Sequence, residues 1–330
     1  MIAFFDLEGP LCPIDHAAEV IITIGKSLGK KEDFFQLFKM ISQFDDELFL
    51  VDKKKNYWPG DTLKLIAPIV ITYANEKLLK DISRNAMLTN GAKELFHFLQ
   101  QNNIPTHIIS TSYTEHAYTI AEKLNHPIEN VRCTKLDFTL KPKKVDFLDK
   151  MLYNIFPKYL EKGLEGVKKD LNAFFFYELP KTEFGEIFKS TVVCGGGRKK
   201  DEVIKILRKN NLKGKDAFAI GDSITDVQML EYIKTEGGQA ISFNGNEHSL
   251  KPSSIAYSGK SILPLKELFK AYPNTTQFIQ YKMKNEKEQM QHRDEYFALI
   301  EGCTNAEFER ILMLQKKYRR QIREKAGELT

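Results

Sequence analysis

FFDLEGP, residues 4–10, sets two carboxylates, Asp6 and Glu8, directly behind an apolar run that begins at Ile2. A short apolar run closed by a glycine turn reads as a buried strand. Acids at a strand end serve either a turn or a reaction, because Asp is also a common turn former. The other strand ends of the chain decide between the two.

Four further runs have the same form: THIIST (106–111), VVCGGG (192–197), AFAIGDS (217–223) and QAISFNG (239–245). Helical periodicity lies between them, with Leu95, Phe98 and Leu99 before the second run and Val203, Ile204 and Leu207 after the third. This alternation predicts an α/β fold, a doubly wound parallel sheet wrapped by helices. Ligands of such sheets sit beyond the carboxyl ends of the strands. Asp6 and Glu8 fall there.

Two stretches interrupt the alternation. Residues 16–88 read as mostly helical, with Phe34, Leu37, Phe38, Ile41 and Phe44 on one face and a second helix starting at Asp61 and kinked or ended by Pro68. Residues 139–189 read as a second helical insertion, with Val145, Leu148, Leu152 and Phe156 at helical spacing and FFFY (174–177) as core. The α/β core is then residues 1–15, 89–138 and 190–273. Residues 274–330 form a charged helical extension, in which Thr304 and Glu307 make a capping box and Phe308, Ile311, Gln315, Tyr318 and Ile322 share one side.

Composition narrows the class. No apolar stretch approaches the roughly 20 residues of a bilayer span, and MIAFFDLEG lacks the features of a secretory leader. Cys12, Cys133, Cys194 and Cys303 are scattered without metal-ligand spacing, as expected of a reducing cytoplasm. The net charge of +5 is too mild to indicate a polyanionic partner. The basic run Lys316, Lys317, Arg319, Arg320, Arg323 and Lys325 reads as a solvated helix end, and no nucleic-acid motif accompanies it. The GKS tripeptides at 25–27 and 259–261 lack the upstream glycine of a P-loop.

Four strand ends carry complementary groups: Asp6 and Glu8; Ser110 with Thr111 and Ser112; Lys199 and Lys200; Asp222, Ser223 and Asp226. Several carboxylates at one point repel each other unless a cation lies among them, and Mg²⁺ prefers oxygen ligands. A carboxylate is a competent nucleophile toward phosphorus. A hydroxyl and an ammonium then stabilise the phosphoryl oxygens. The set suits phosphoryl transfer.

DLEG, IISTS, a lysine opening a helix, and GDSITD, in that order, resemble the four motifs of the haloacid dehalogenase superfamily. PGDTLKLIAP (59–68), IISTSYTEH (108–116), CTKLDF (133–138) and GDSITDVQML (221–230) followed by AISFNG (240–245) are similar to archaeal members of its phosphoserine-phosphatase-like branch, closest to a group named subunit R of energy-converting hydrogenase A. The resemblance implies Asp6 as nucleophile and Glu8 as general acid/base. It implies Mg²⁺ held by Asp6, the Glu8 carbonyl and Asp222, with Asp226 in support. Ser110 and Thr111 would bind the phosphoryl group, and so would Lys200, with Lys199 as the alternative register. The resemblance makes residues 16–88 a helical cap over the catalytic core, from which His16, Tyr57 and Trp58 are candidate substrate contacts. The family usually has Asp where this chain has Glu8, so its carboxyl must fold back by one methylene. The expected activity is Mg²⁺-dependent hydrolysis of a small phosphorylated metabolite. The alternative is an accessory subunit that docks on a larger complex through its C-terminal helices.

Overall fold

The computed structural model of the chain describes residues 1–143, 145–286 and 295–323. Seven strands form one sheet in the order β3-β2-β1-β4-β5-β6-β7. They are β1 (Ile2–Phe5), β2 (Thr106–Tyr113), β3 (Val131–Thr134), β4 (Ala217–Gly221), β5 (Gln239–Phe243), β6 (Ile255–Gly259) and β7 (Glu295–Leu299). All neighbours pair in parallel except β7, which is antiparallel to β6. β1 lies between β2 and β4, with Phe5 level with Ile108 on one side and Ile220 on the other. The chain winds outward in both directions from this point, which opens a crevice at the strand ends. Asp6 and Asp222, the residues just past β1 and β4, face each other across it.

β1 and β4 are buried throughout, as parallel strands covered on both faces must be. Alternation then divides the core. Ala3 and Phe5 pack with Leu95 and Leu99 of the helix Ala92–Gln101 and with Ile120 of Thr114–Lys123. Ile2 and Phe4 pack on the other face with Val203, Ile206 and Leu207 of Gly197–Lys209 and with Leu230 and Ile233 of Val227–Thr235.

Residues 16–88 fold into the helices His16–Ser27, Lys31–Asp46, Thr62–Tyr73 and Glu76–Asn85. The insertion after β3 adds Asp146–Lys150, Phe156–Ala173 (broken at Gly163) and Phe184–Ser190. The two share one apolar cluster, in which Phe34, Phe38 and Phe44 meet Phe174, Phe175 and Phe184. They form a single helical layer above the sheet. Neither insertion buries its apolar face without the other.

Three expectations are corrected. VVCGGG is not a strand: the Cys194 amide donates to Thr134 Oγ1 at 3.1 Å, and the glycines form a seat for the cap. A Cβ on Gly197 would lie 2.7 Å from Trp58 Cζ2, so only glycine allows this approach. Pro68 does not end the helix Thr62–Tyr73, because burial of nearly its whole length outweighs the one backbone bond that proline forfeits. The extension is not wholly helical, since β7 buries Tyr296, Phe297 and Ala298 and extends the sheet beyond β6. No helix among the described residues is long and apolar enough to cross a membrane.

Candidate active site

The site is built at the ends of β1, β2 and β4 and roofed by the helical layer. The Asp6 carboxylate accepts through Oδ1 from the Leu7 amide at 2.8 Å and from Lys199 Nζ at 2.7 Å. Lys199 reaches Asp226 Oδ1 at the same distance. The second oxygen of Asp226 accepts from the Asp222 and Ser223 amides at 3.0 and 3.1 Å, which pins the turn after β4. Gly9 makes this crowding possible: its φ is +98°, and a Cβ there would stand 2.3 Å from Asp222 Oδ2.

Lys199, not Lys200, is therefore the lysine of the constellation. The reason is helix phase. Val203, Ile206 and Leu207 are buried against the sheet, and the residue one turn before Val203 on that face is Lys199. Lys199 is fully buried, whereas Lys200 sits beside that face and reaches neither Asp6 nor Asp226. Burial opposes its charge, but Asp226 and Asp6 outweigh this and hold the ammonium protonated above its ordinary range. Burial, followed by the Asp226 carboxylate, pushes Asp6 well above the usual carboxylate range against the pull of Lys199.

The Glu8 carboxylate reaches the last residues of β2. Its Oε1 accepts from Ser112 Oγ at 2.5 Å and from the His16 backbone amide at 3.3 Å. Burial, then the neighbouring Asp15 carboxylate, raises its carboxyl to about 7. Ser110 Oγ accepts from the Ser112 amide at 3.1 Å, and Thr111 Oγ1 is buried without a hydrogen-bond partner. A cavity of about 170 Å³ lies over these groups, and Asp6, Glu8, Ser110, Thr111 and Asp222 all border it.

The three cap residues expected at the substrate are not on the cavity wall. The His16 ring turns away, stacks on His116 at 4.3 Å and meets the Leu79 carbonyl and Ser83 Oγ. Burial lowers it to about 4, so it is a neutral packing ring. Trp58 packs on the triglycine seat. Tyr57 donates its hydroxyl to Asp45 Oδ1 at 2.5 Å. Asp61 of the same loop pairs with Arg198 at 2.6 Å and ties the cap to the core.

What faces the cavity from the cap instead is Asp45 and Asp46, with Ser42 one turn and Phe38 two turns earlier on the same helix. The apolar periodicity that marked Phe38 and Phe44 gave no sign of these acids, because they follow the stripe at the helix end. Burial raises Asp45 to about 7, opposed by hydrogen bonds from Tyr57 and Thr62. A carboxyl with a raised folded pKa keeps its proton in the folded state while the unfolded chain has already lost it. Stability therefore falls as pH rises from about 4 to about 7 and is level beyond. Asp45→Asn should remove this slope. Its stability relative to wild type should improve by on the order of 4 kcal/mol between those limits, read by urea unfolding across the range. A pH-independent difference would refute the assignment.

Two arginines absent from the expected site also enter it. Arg319 and Arg323, on the C-terminal helix Asn305–Arg323, both direct Nη1 to Asp222 Oδ2, Arg323 at 3.1 Å and Arg319 in a shorter contact. Their signal was spacing, since they continue the line of Ile311 and Gln315 at four-residue steps. The expected basic run thus divides. Arg319 and Arg323 are buried, Lys316, Lys317 and Arg320 are exposed, and Lys325 lies outside the described residues.

The donor set fits a hard cation. Asp6, Asp222 and Asp226 each offer a carboxylate oxygen within 4.8 Å of the others, and Asp222 Oδ1 is buried without a hydrogen-bond partner. An all-oxygen cluster of this kind suits Mg²⁺.

Comparison with known proteins bears on the fold and the family. No curated protein sequence matches the chain. A solved gene product of Archaeoglobus fulgidus superposes with a TM-score of 0.81 at 23% identity, covering 99% of this chain and 98% of that one. A substrate-bound phosphoserine phosphatase superposes at 0.51 with 15% identity, over 82% of this chain and 96% of that one. A phosphoserine phosphatase in apo form superposes at 0.50 with 13% identity, over 81% and 97%. These likenesses concern the fold, and none of the three bears the hydrogenase-subunit name. Residues 67–237 match the profile of the haloacid dehalogenase-like hydrolases, a span that contains Ser110, Lys199, Asp222 and Asp226 and begins after Asp6. With more than half of its length in that match, the chain belongs to the haloacid dehalogenase-like hydrolases.

Proposed function

We propose that the chain is a Mg²⁺-dependent phosphomonoesterase that hydrolyses a small phosphorylated metabolite through a phosphorylated Asp6. The observation that carries this reading is the convergence of Asp6, Asp222 and Asp226 on one point, where Lys199 bridges Asp6 and Asp226 and a cavity opens beside Asp6 and Asp222. The phosphatases among the fold relatives are in keeping with it.

Asp6 attacks phosphorus and the ester P–O bond breaks, while Glu8 gives its proton to the departing oxygen. Water then attacks the acyl phosphate and yields its proton to Glu8, so that inorganic phosphate leaves and the Asp6 carboxylate returns. Ser112 and the His16 amide hold Glu8 for both steps. Ser110 and Thr111 donate to phosphoryl oxygens, and Lys199 offsets their charge. Asp6, Asp222 and the Glu8 carbonyl would hold Mg²⁺, with Asp226 orienting the set. When bound, the ion supplies the positive centre that lets a phosphate approach so many carboxylates. A cavity of about 170 Å³ suits a small leaving group, and Asp45 and Asp46 of the cap border it.

The test is release of phosphate from an aryl phosphate and from a panel of phosphorylated metabolites, with Mg²⁺ and with EDTA. Release that requires Mg²⁺ is expected. Release that is unaffected by EDTA would sink the metal assignment. No release from any substrate by folded protein would sink the reaction.

A further inference from the structure

The C-terminal helix carries positive charge into the place where a metal would bind. Arg319 and Arg323 are 3% and 7% exposed, and both contact a single atom, Asp222 Oδ2. Arg319 also donates to the Asp222 main-chain carbonyl at 3.2 Å, and Arg323 Nε donates to the Pro13 carbonyl at 3.3 Å. Arg323 borders the cavity itself. One turn earlier, fully buried Gln315 fixes the helix: it donates to Ser258 Oγ at 2.9 Å and accepts from Ser242 Oγ at 3.2 Å and from the Gly245 amide. The arginines are held where they are and are not strays from a solvated face.

Buried guanidinium groups need compensating charge, and here the Asp222 carboxylate supplies it. Four buried or half-buried acids, Asp6, Glu8, Asp222 and Asp226, meet three buried cations, Lys199, Arg319 and Arg323. The two arginines thus offset two of these four negative charges, and Lys199 a third. With Lys199 as the sole cation, the same acids would attract a divalent ion far more strongly.

We propose that Arg319 and Arg323 are an internal counter-ion that competes with Mg²⁺ for Asp222, so that docking of the C-terminal helix end and loading of the metal oppose each other. This inference rests on the Mg²⁺ reading of the site. Its physical content is a coupling between two distant chain segments through one carboxylate, and such coupling is reciprocal. Mg²⁺ loosens the last turns of the helix by the same factor by which those turns weaken Mg²⁺. The helix end is thereby a control point: whatever draws it off Asp222 raises metal affinity.

The experiment is isothermal calorimetry of Mg²⁺ with wild type and with the double variant Arg319→Gln/Arg323→Gln, without any substrate. The variant is expected to bind Mg²⁺ at least about ten-fold more tightly, within the usual range for coupled sites. Equal or weaker binding by the folded variant would overturn the inference alone. No binding by either protein would overturn the metal reading and the inference with it. Hydrogen exchange on the wild type, which depends on no variant, gives the second readout. Mg²⁺ should speed exchange over residues 315–323, and unchanged or stronger protection there would refute the competition.

Discussion

Asp6→Asn is expected to lower phosphate release by at least about 10⁴-fold, while the protein remains folded. The argument for a loss this large is that the substitution removes the attacking group and little else. An Asn side chain at this position still accepts from the Leu7 amide and Lys199 Nζ, which meet Asp6 Oδ1 at 2.8 and 2.7 Å. The neutral amide cannot displace an alkoxide from phosphorus, so residual turnover would come only from binding and the surrounding donors. Acid-quenched samples sharpen the test. Wild type incubated with labelled phosphoryl donor should retain acid-stable, alkali-labile label, and Asp6→Asn should retain none. Label on the variant would place the nucleophile elsewhere.

Lys199→Met is expected to destabilise the fold by about 3–5 kcal/mol in EDTA, and Lys200→Met to change stability by less than about 0.5 kcal/mol. Lys199 is fully buried and lies 2.7 Å from both Asp6 and Asp226, two carboxylates that are themselves buried. Removing the ammonium leaves those acids facing each other in a medium that screens poorly. One of them must take up a proton, or the turn after β4 must open. Methionine fills nearly the same volume, so the loss reports charge and not packing. Phosphate release should fall by about 10²- to 10³-fold as well, since a donor to the phosphoryl oxygens is gone. Urea unfolding of the two variants side by side decides the register. A larger loss for Lys200→Met would reverse the assignment.

The two lysines show where the limit of local pattern lay. Either could open the helix, and the choice turned on which of its faces meets the sheet. Val203 with Ile204 points to Lys200, whereas Val203 with Ile206 and Leu207 points to Lys199. The second triplet is the fuller stripe at a period of 3.6, so the answer was present in the sequence. Trp58 is a different case. A single aromatic in a cap has no period, and its position against Gly197 follows from how the cap docks.

What the sequence determined by itself is everything carried by short range. Apolar runs of five or six residues, each closed by Asp, Ser or Gly, fix the β1, β2, β4 and β5 strands, and an acid just past a strand end has nowhere to lie but the crevice. The acid pair of FFDLEGP, the hydroxyls in the last residues of β2 and the acids of GDSITD were legible for that reason. Only the tertiary structure decided the rest. Residues 16–88 and 139–189 fold into one core because each leaves an apolar face uncovered, and nothing in either stretch names its cover. The same holds for Arg319 and Arg323. Their spacing along the C-terminal helix is local, but the carboxylate they meet lies about a hundred residues earlier in the chain. A charged run is indistinguishable from a solvated one until packing removes water from one side of it. Here that side meets the buried Asp222 carboxylate at the cavity.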